Sequence, residues 1–515
     1  MLKLWFGRLN LLFAKEVSWY WFVLAVTLFL TAMNFNIFAF CFKYGESDFV
    51  EALSFVAIGF LLLLFCCALL FVPFLTKFLA ILFVLLTAVC SYFITKFGVF
   101  IDASMIENTF KTDTKEAFEL LNFGFVLWVA FLGILPSLVI LNAKLRYHNW
   151  QRHLLQKASI LLLSLAFLAA VAVPQLEMLM PFFRHYKQVE YLFLPYAPIK
   201  STNKYLRTLS KKPKTLSVIA PDASLEKPVS KLLVFVIGET ARAQNFSALG
   251  YKPNETNFYT SRLANIAYFA AKSCGTSTAV SVPCMFSQKP RTEFSKRDFE
   301  ENVFDLLKRL QLPIAWIGTN SGGCQGVCDR LSSVQLLKTD FDEEMLDEFD
   351  GVLATQQTGV IVIHLQGSHG PTYYKRYPKE FAKFTPSCNT NELEKCSESE
   401  LRNVYDNTIL YTDFVLSELI KRLQTNQNAT LLYISDHGES LGEDGLYLHG
   451  MPYAIAPEVQ TSVPMLLFSH DKALLRAAKT HKNLSQDYIF HSILSYFGVK
   501  TAIYNAEFDL FKEAK

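Results

Sequence analysis

The sequence predicts a two-part α/β chain: five membrane helices within residues 1–180, a linker over 181–230, and a domain over 231–515 with a mostly parallel sheet between helices. Three observations carry this expectation. Only 18% of the 515 residues are charged, while 51% are hydrophobic and 46 are Phe; soluble domains carry about 25% charge. The long apolar runs are confined to the first third of the chain. Beyond residue 231, short apolar runs alternate with helix-period stretches, as in doubly wound folds. The net charge of +3 gives no support to a nucleic-acid partner, so partners must be argued from local patches.

The apolar segments are, roughly, Trp19–Phe42, Leu53–Leu75, Phe78–Phe97, Phe123–Leu141 and Ala158–Pro174, each near the ~20 residues that span a bilayer. No small-residue cleavage site follows the first, which reads as a retained helix. Lys3, Arg8 and Lys15 precede it, Lys77 follows the second, and Lys144, Arg146, Arg152 and Lys157 follow the fourth. The alternate loops are mixed or acidic, with Glu46, Asp48 and Glu51 in one and Asp102, Glu107, Asp113, Glu116 and Glu119 in the other. The positive-inside rule then puts the N-terminus in the cytoplasm and everything after about residue 180 outside it.

In the loop after the third segment, Asn108, Thr112 and Glu116 fall at i, i+4 and i+8, one polar face of a short helix. At the outer surface such a face can meet a lipid headgroup; a solvated loop helix has the same spacing. Residues 181–230 open with aromatics and a basic run, Lys204, Arg207, Lys211, Lys212 and Lys214, and then carry Pro213, Pro221 and Pro228. That composition suits an interfacial segment leading to an extended linker.

In the outer domain, five apolar runs read as strands: 232–237, 314–317, 360–365, 431–434 and 463–468. Helical stretches fall at 299–311, 343–354 and 400–424. Ligands of open α/β sheets bind beyond the carboxyl ends of strands, and polar groups recur there: Glu239, then His364 and His369, then Asp436 and His437. His449 follows in a Gly-rich loop. Carboxylates and imidazoles without thiolate suit Zn²⁺ or a similar divalent ion with open coordination positions. A hydroxyl nucleophile is offered between Ser273 and Cys284, where Thr276, Ser277, Thr278 and Ser281 all qualify. A helix starting there would also receive an anion. Six cysteines lie in this outer part, and closeness in sequence favours the bridges Cys274–Cys284, Cys324–Cys328 and Cys388–Cys396, as an extracytoplasmic setting permits.

Together these residues resemble the membrane-anchored phosphoethanolamine transferases of Gram-negative bacteria, the lipid A-modifying and colistin-resistance enzymes of the alkaline phosphatase/sulfatase superfamily. The motifs that carry the likeness are Gly238-Glu239-Thr240, Cys274-Gly275-Thr276-Ser277-Thr278-Ala279 with Ser281-Val282-Pro283-Cys284, Gly367-Ser368-His369-Gly370-Pro371, and Ser435-Asp436-His437-Gly438-Glu439-Ser440. The resemblance covers essentially the whole chain. It implies an alkaline-phosphatase/sulfatase-like outer domain in the periplasm, anchored in the bacterial inner membrane.

It implies further that Thr278 is the nucleophile, held on one zinc ion with Glu239, Asp436 and His437. His369 and His449 would bind the phosphoryl group or a second zinc and assist proton transfer, with His364 close by. Asn108, Thr112 and Glu116 would help to hold the lipid donor. The donor implied is phosphatidylethanolamine, and the acceptor is lipid A or another envelope glycan or protein; a monomer is expected. One residue departs from the pattern: family members commonly carry Lys where this chain has Gln325. The alternative on the same scaffold is a phosphoglycerol transferase or a sulfatase-like phosphodiesterase. The Cys/Ser-x-Pro-x-Arg setting of sulfatases is missing, since Cys284 follows Pro283 and no such Arg comes after it.

Overall fold

The structure is a computed structural model, describing residues 16–44, 49–111, 118–210, 215–296 and 298–514. It divides into two compact units: Met1–Glu107 with Leu121–Ser210, and Asn108–Leu120 with Lys211–Lys515.

The first unit is helical: α1 (Trp19–Met33), α2 (Phe35–Tyr44), α3 (Phe49–Leu70), α4 (Thr76–Phe97), the start of α5 (Ala103–Lys111), α6 (Phe123–Asn142), α7 (Trp150–Ala172), α8 (Leu176–His185) and α9 (Tyr196–Leu209). Among the described residues, four spans are long and apolar enough to cross a membrane, and α1 with α2 makes a fifth if the bent pair counts as one. The expected first helix is therefore broken, by 50°. The cause is Asn34 at the junction. Its amide donates to Leu30 O (2.8 Å) and Leu194 O (2.9 Å) and accepts from Leu194 N (2.8 Å), satisfying a buried polar group at the bend. Trp19, Val23, Leu30, Phe71 and Val84 form the buried seam between helices.

Residues 181–210, set apart as linker in the sequence reading, are mostly helical and belong to this unit. Ser201 Oγ donates to Ile101 O (2.7 Å) and Ile101 N donates to Tyr191 O (3.2 Å). Such bonds hold the aromatic-basic stretch against the helices.

The second unit is built on a seven-stranded sheet: β1 (Leu232–Gly238), β2 (Ile266–Lys272), β3 (Ile314–Gly318), β4 (Ser333–Leu336), β5 (Gly359–His364), β6 (Ala429–Ser435) and β7 (Ser462–Ser469), in the order β2-β7-β6-β1-β5-β3-β4. The run β6-β1-β5-β3-β4 is parallel, while β7 is antiparallel to both β6 and β2. All five expected strands are present. The two edge strands, β2 and β4, are additional to these: β4 is short and only partly buried, while β2 carries an apolar run, Ile266–Ala271, that the expected strands omit.

Alternate residues of β1 enter opposite cores. Leu233, Phe235 and Ile237 pack with Phe286, Phe304, Trp316 and the helix α15 (Tyr488–Phe497), whereas Leu232, Val234 and Val236 pack with Phe349 and α13 (Glu398–Leu423). Helices on both faces explain why central strands read as continuous hydrophobic runs. Helix α13 is more buried than its expected stripe of Val404, Leu410, Phe414 and Leu419: Asp406 and Asp413 are buried too. Asp413 accepts from Tyr259 N (2.7 Å), Thr260 N (3.1 Å), Asn257 Nδ2 (3.2 Å) and the Thr260 hydroxyl, tying a loop to the helix.

Burial outweighs these donors and raises the Asp413 carboxyl from 3.8 to about 6. The unfolded chain therefore releases this proton first, so the contribution is complete below about pH 4 and is lost as pH rises through about 6. Equilibrium unfolding of wild type should lose about 3 kcal/mol over that window relative to Asp413→Asn. Parallel pH dependences of the two proteins would refute it.

Candidate active site

The register of β1 against β6 builds the site. Gly238 pairs with Ser435, so the next residues out of the sheet, Glu239 and Asp436, emerge side by side. Asp436 N donates to Gly238 O (2.9 Å). Both carboxylates are buried, as is His437. Asp436 Oδ1 accepts from Thr240 N (3.0 Å) and His437 N (2.7 Å). Its Oδ2 is buried with no hydrogen-bond partner.

A carbonyl can only accept, so the contact of His437 Nδ1 with Gly438 O (2.9 Å) places the proton on Nδ1. Its Nε2 faces Asp436 Oδ2 (3.3 Å), Glu239 Oε1 (3.4 Å) and Thr278 Oγ1 (3.4 Å). Thr278 opens α10 (Thr278–Met285), with Ser277 as its N-cap residue, and its hydroxyl lies 3.0 Å from Glu239 Oε2. Of the four hydroxyls the sequence left open, this is the one beside the carboxylates. Thr276 instead donates to Met451 O (2.6 Å), and Ser281 Oγ accepts from Gly275 N (3.0 Å).

The ligand atoms of Glu239, Asp436 and His437 lie within 4.8 Å of one another. Among the described residues, no Lys or Arg side chain pairs with either carboxylate. Burial and the Glu239 charge push Asp436 up to about 7. Burial opposes protonation of His437, but Asp436 and Glu239 together carry it up to about 10. Glu239 is held well below its ordinary range despite burial, because the His437 imidazole bonds to it. Two buried carboxylates and one imidazole can balance their charge only with a proton or a cation. The unpartnered Asp436 oxygen and the all-oxygen-and-nitrogen donor set fit a divalent metal.

A cavity of about 80 Å³ opens beside Thr278 and is lined also by Asn108, Asn320, Gln325, His369 and His449. His449 Nδ1 donates to Glu439 Oε2 (2.9 Å), and Tyr373 OH donates to Glu439 Oε1 (2.5 Å). The His449 ring lies 4.2 Å from that of His437 and 5.7 Å from that of His369. His437, Glu439 and His449 form a second group of ligand atoms within 4.8 Å. Burial and the neighbouring His437 lower the pKa of His449.

The other sequence candidates fall as follows. His364 ends β5 fully buried, outside the walls of this cavity, with Nδ1 donating to Gly323 O (3.0 Å) and burial lowering it to about 4. Thr112 and Glu116 lie outside the described residues. Gln325 lines the cavity while its amide donates to Gly322 O (2.9 Å). The cysteines pair as Cys274–Cys284, Cys324–Cys328 and Cys388–Cys396, the first bracketing Thr278.

Two site residues carried no role in the sequence reading. Asn320 donates to Glu239 Oε2 (2.8 Å) and Leu365 O (3.1 Å); its position just past a strand was the only signal. Glu439 sits inside a quoted motif but shows its purpose only through His449 and Tyr373.

Residues 231–499 match the Sulfatase family and residues 59–209 match the family described as Phosphoethanolamine transferase EptA/EptB. The outer unit is thus of the sulfatase-like class. Phosphoethanolamine transferase EptA of Escherichia coli strain K12 is 36% identical over 85% of each chain. The structure of the integral membrane lipooligosaccharide phosphoethanolamine transferase A (EptA) from Neisseria meningitidis is 30% identical, covers 96% of this chain and 99% of that one, and superimposes with a TM-score of 0.89. The C-terminal periplasmic domain of EptC from Campylobacter jejuni is 53% identical over 58% of this chain and 98% of that one, with a TM-score of 0.56. The chain belongs to the phosphoethanolamine transferase family and is a transferase.

Gly438 joins His437 to Glu439 where the backbone runs tightly against 459–460. A Cβ there would sit 2.0 Å from Val459 O, and Gly438 N and Glu439 N already donate to Gln460 O and Val459 O. Gly438→Ala should destabilise the outer unit by about 1–3 kcal/mol in denaturant unfolding, with loss of activity in the folded fraction. A variant as stable and active as wild type would contradict this close approach.

Proposed function

We propose that this protein transfers phosphoethanolamine from phosphatidylethanolamine to lipid A or another envelope acceptor, through a covalent phosphothreonine on Thr278, in a zinc-dependent reaction. The observation that carries the reading is the placement of Thr278 Oγ1 3.0 Å from Glu239 and 3.4 Å from His437 Nε2, at a helix start and beside an unpartnered Asp436 oxygen. The protein acts as a monomer in the inner membrane, with its N-terminus in the cytoplasm and the outer unit in the periplasm.

Glu239, Thr278, Asp436 and His437 would hold the zinc ion, which when bound supplies a Lewis acid that acidifies the threonine hydroxyl and screens phosphoryl charge. Thr278 Oγ attacks phosphorus, the bond to the diacylglycerol oxygen breaks, and phosphoethanolamine stays on Thr278. His449, with its Nδ1 proton committed to Glu439, presents Nε2 to take the threonine proton and pass it to the departing diacylglycerol oxygen. In the second half, the acceptor hydroxyl or protonated phosphate oxygen gives its proton to the same nitrogen and attacks phosphorus. Thr278 Oγ then leaves and recovers the proton. His369 contacts the phosphoryl group from the same cavity, and Asn108, Thr112 and Glu116 hold the lipid donor.

Mass spectrometry of lipid A and surface glycans from cells expressing wild type, Thr278→Ser or Thr278→Ala tests the reading. Phosphoethanolamine should appear with wild type, fall but persist with Ser, and vanish with Ala. Its persistence with Ala sinks the nucleophile assignment, and release of phosphoglycerol instead would reassign the donor. A second prediction concerns Asn320, which braces Glu239: Asn320→Ala should weaken zinc binding by about 10–100-fold in a competition titration with a chromophoric chelator. Unchanged affinity would remove Glu239 from the ligand set.

A further inference from the structure

Glu119 belongs to the segment Asn108–Leu120, which is counted with the second unit although it lies between α4 and α6 in sequence. It is a buried acid far in sequence from every group it touches. Its Oε2 pairs with Arg376 Nη2 (2.7 Å) and accepts from Thr372 Oγ1 (2.5 Å), and its Oε1 meets Lys375 Nζ (3.2 Å). Asn391 Nδ2 donates to its backbone carbonyl (2.6 Å). Arg376 is buried as well, so this pair is shielded from solvent and is costly to break on one side only.

The turn that Glu119 grips serves the site at two points. Arg376 Nε donates to His369 O (2.8 Å), so one rigid guanidinium plane spans Glu119 and the backbone of His369. Tyr373, in the same turn, donates to Glu439 Oε1, and Glu439 holds His449 Nδ1. Both cavity histidines are therefore referenced to the one carboxylate. Asn108, at the other end of the same segment, lines the cavity itself.

We infer that Glu119 is a positioning residue: its ion pair with Arg376 fixes the turn Thr372–Arg376 and so sets His369 and His449 around the phosphoryl position. This rests on the transferase reading for what those residues bind, but the geometry itself does not. Glu119 touches no reacting atom. Its neutralisation should move the histidines while leaving Glu239, Asp436 and His437 in place.

The test uses the full-length, zinc-loaded protein in detergent micelles with a fluorescent short-chain phosphatidylethanolamine as donor. For Glu119→Gln and Glu119→Asp, kcat, KM, bound zinc, Tm and hydrogen exchange of peptides 369–376 and 446–452 are measured. Glu119→Gln should keep its zinc, fall in Tm as expected for a buried pair broken on one side, lose about tenfold or more in kcat/KM of the folded fraction with part of the loss in kcat, and exchange faster in both peptides. Glu119→Asp should recover part of each. Wild-type kcat, KM and exchange in Glu119→Gln would overturn the inference. So would a fall in Tm with normal turnover by the folded fraction, which would make Glu119 only a structural tie. If Glu119→Gln does not accumulate, Arg376→Lys applies the same test, since lysine keeps the charge opposite Glu119 but cannot also reach His369 O. A wild type silent on this donor would refute the donor reading, while exchange in the two peptides still decides the role of Glu119.

Discussion

The outer unit depends on two carboxylates being held side by side and buried from solvent. Glu239 and Asp436 sit one residue beyond paired positions of neighbouring parallel strands, so the sheet register itself forces their approach. A slip of one residue would turn either side chain to the other face. Bringing like charges together in a buried place opposes folding, and the surrounding structure compensates with directed donors: Thr240 N and His437 N on Asp436, and the Thr240 hydroxyl and Asn320 on Glu239. What these donors leave unsatisfied is one oxygen of Asp436. A buried acceptor without a partner is expensive, and a divalent cation is a partner that the surrounding oxygen and nitrogen donors fit.

The packing around the sheet serves that placement. The central strands carry apolar residues on both faces, so neither β1 nor β6 can shift without disturbing a core. Close backbone approaches complete the fit. Gly367, at φ +55°, lets its turn come against Glu239, where a Cβ would lie 2.7 Å from the Glu239 carbonyl oxygen. Asp342 then holds that turn by accepting from Gln366 N (2.8 Å) and Gly367 N (2.9 Å). The site is rigid because its supports are backbone bonds and filled cores rather than surface ion pairs.

Legibility in the sequence followed burial. Strands enclosed on both faces announced themselves as apolar runs, and the polar residues just beyond them were recognisable because few other residues in the outer part break such runs so abruptly. Edge strand β4, short and only partly buried, gave no comparable pattern, whereas β2 carries the apolar run Ile266–Ala271 and was not among the expected strands. The break at Asn34 was invisible for a different reason: its cause is a bond to Leu194, far away in sequence. Helix α13 looked amphipathic, yet its buried acids are explained only by the loops that fold over them.

From sequence alone came the division into apolar helices and an α/β part, the central strands, the three local disulfides and the candidates Glu239, Asp436 and His437. Each of these depends on residue type and short-range spacing, which a linear string records. Tertiary structure alone decided which of four hydroxyls faces the carboxylates, that His364 is buried beneath the site rather than lining it, and that Asn320, Glu439 and Glu119 brace its members. Those facts depend on distances between segments tens to hundreds of residues apart. Such distances are set by strand order and by packing on both faces of the sheet, and no local pattern encodes them.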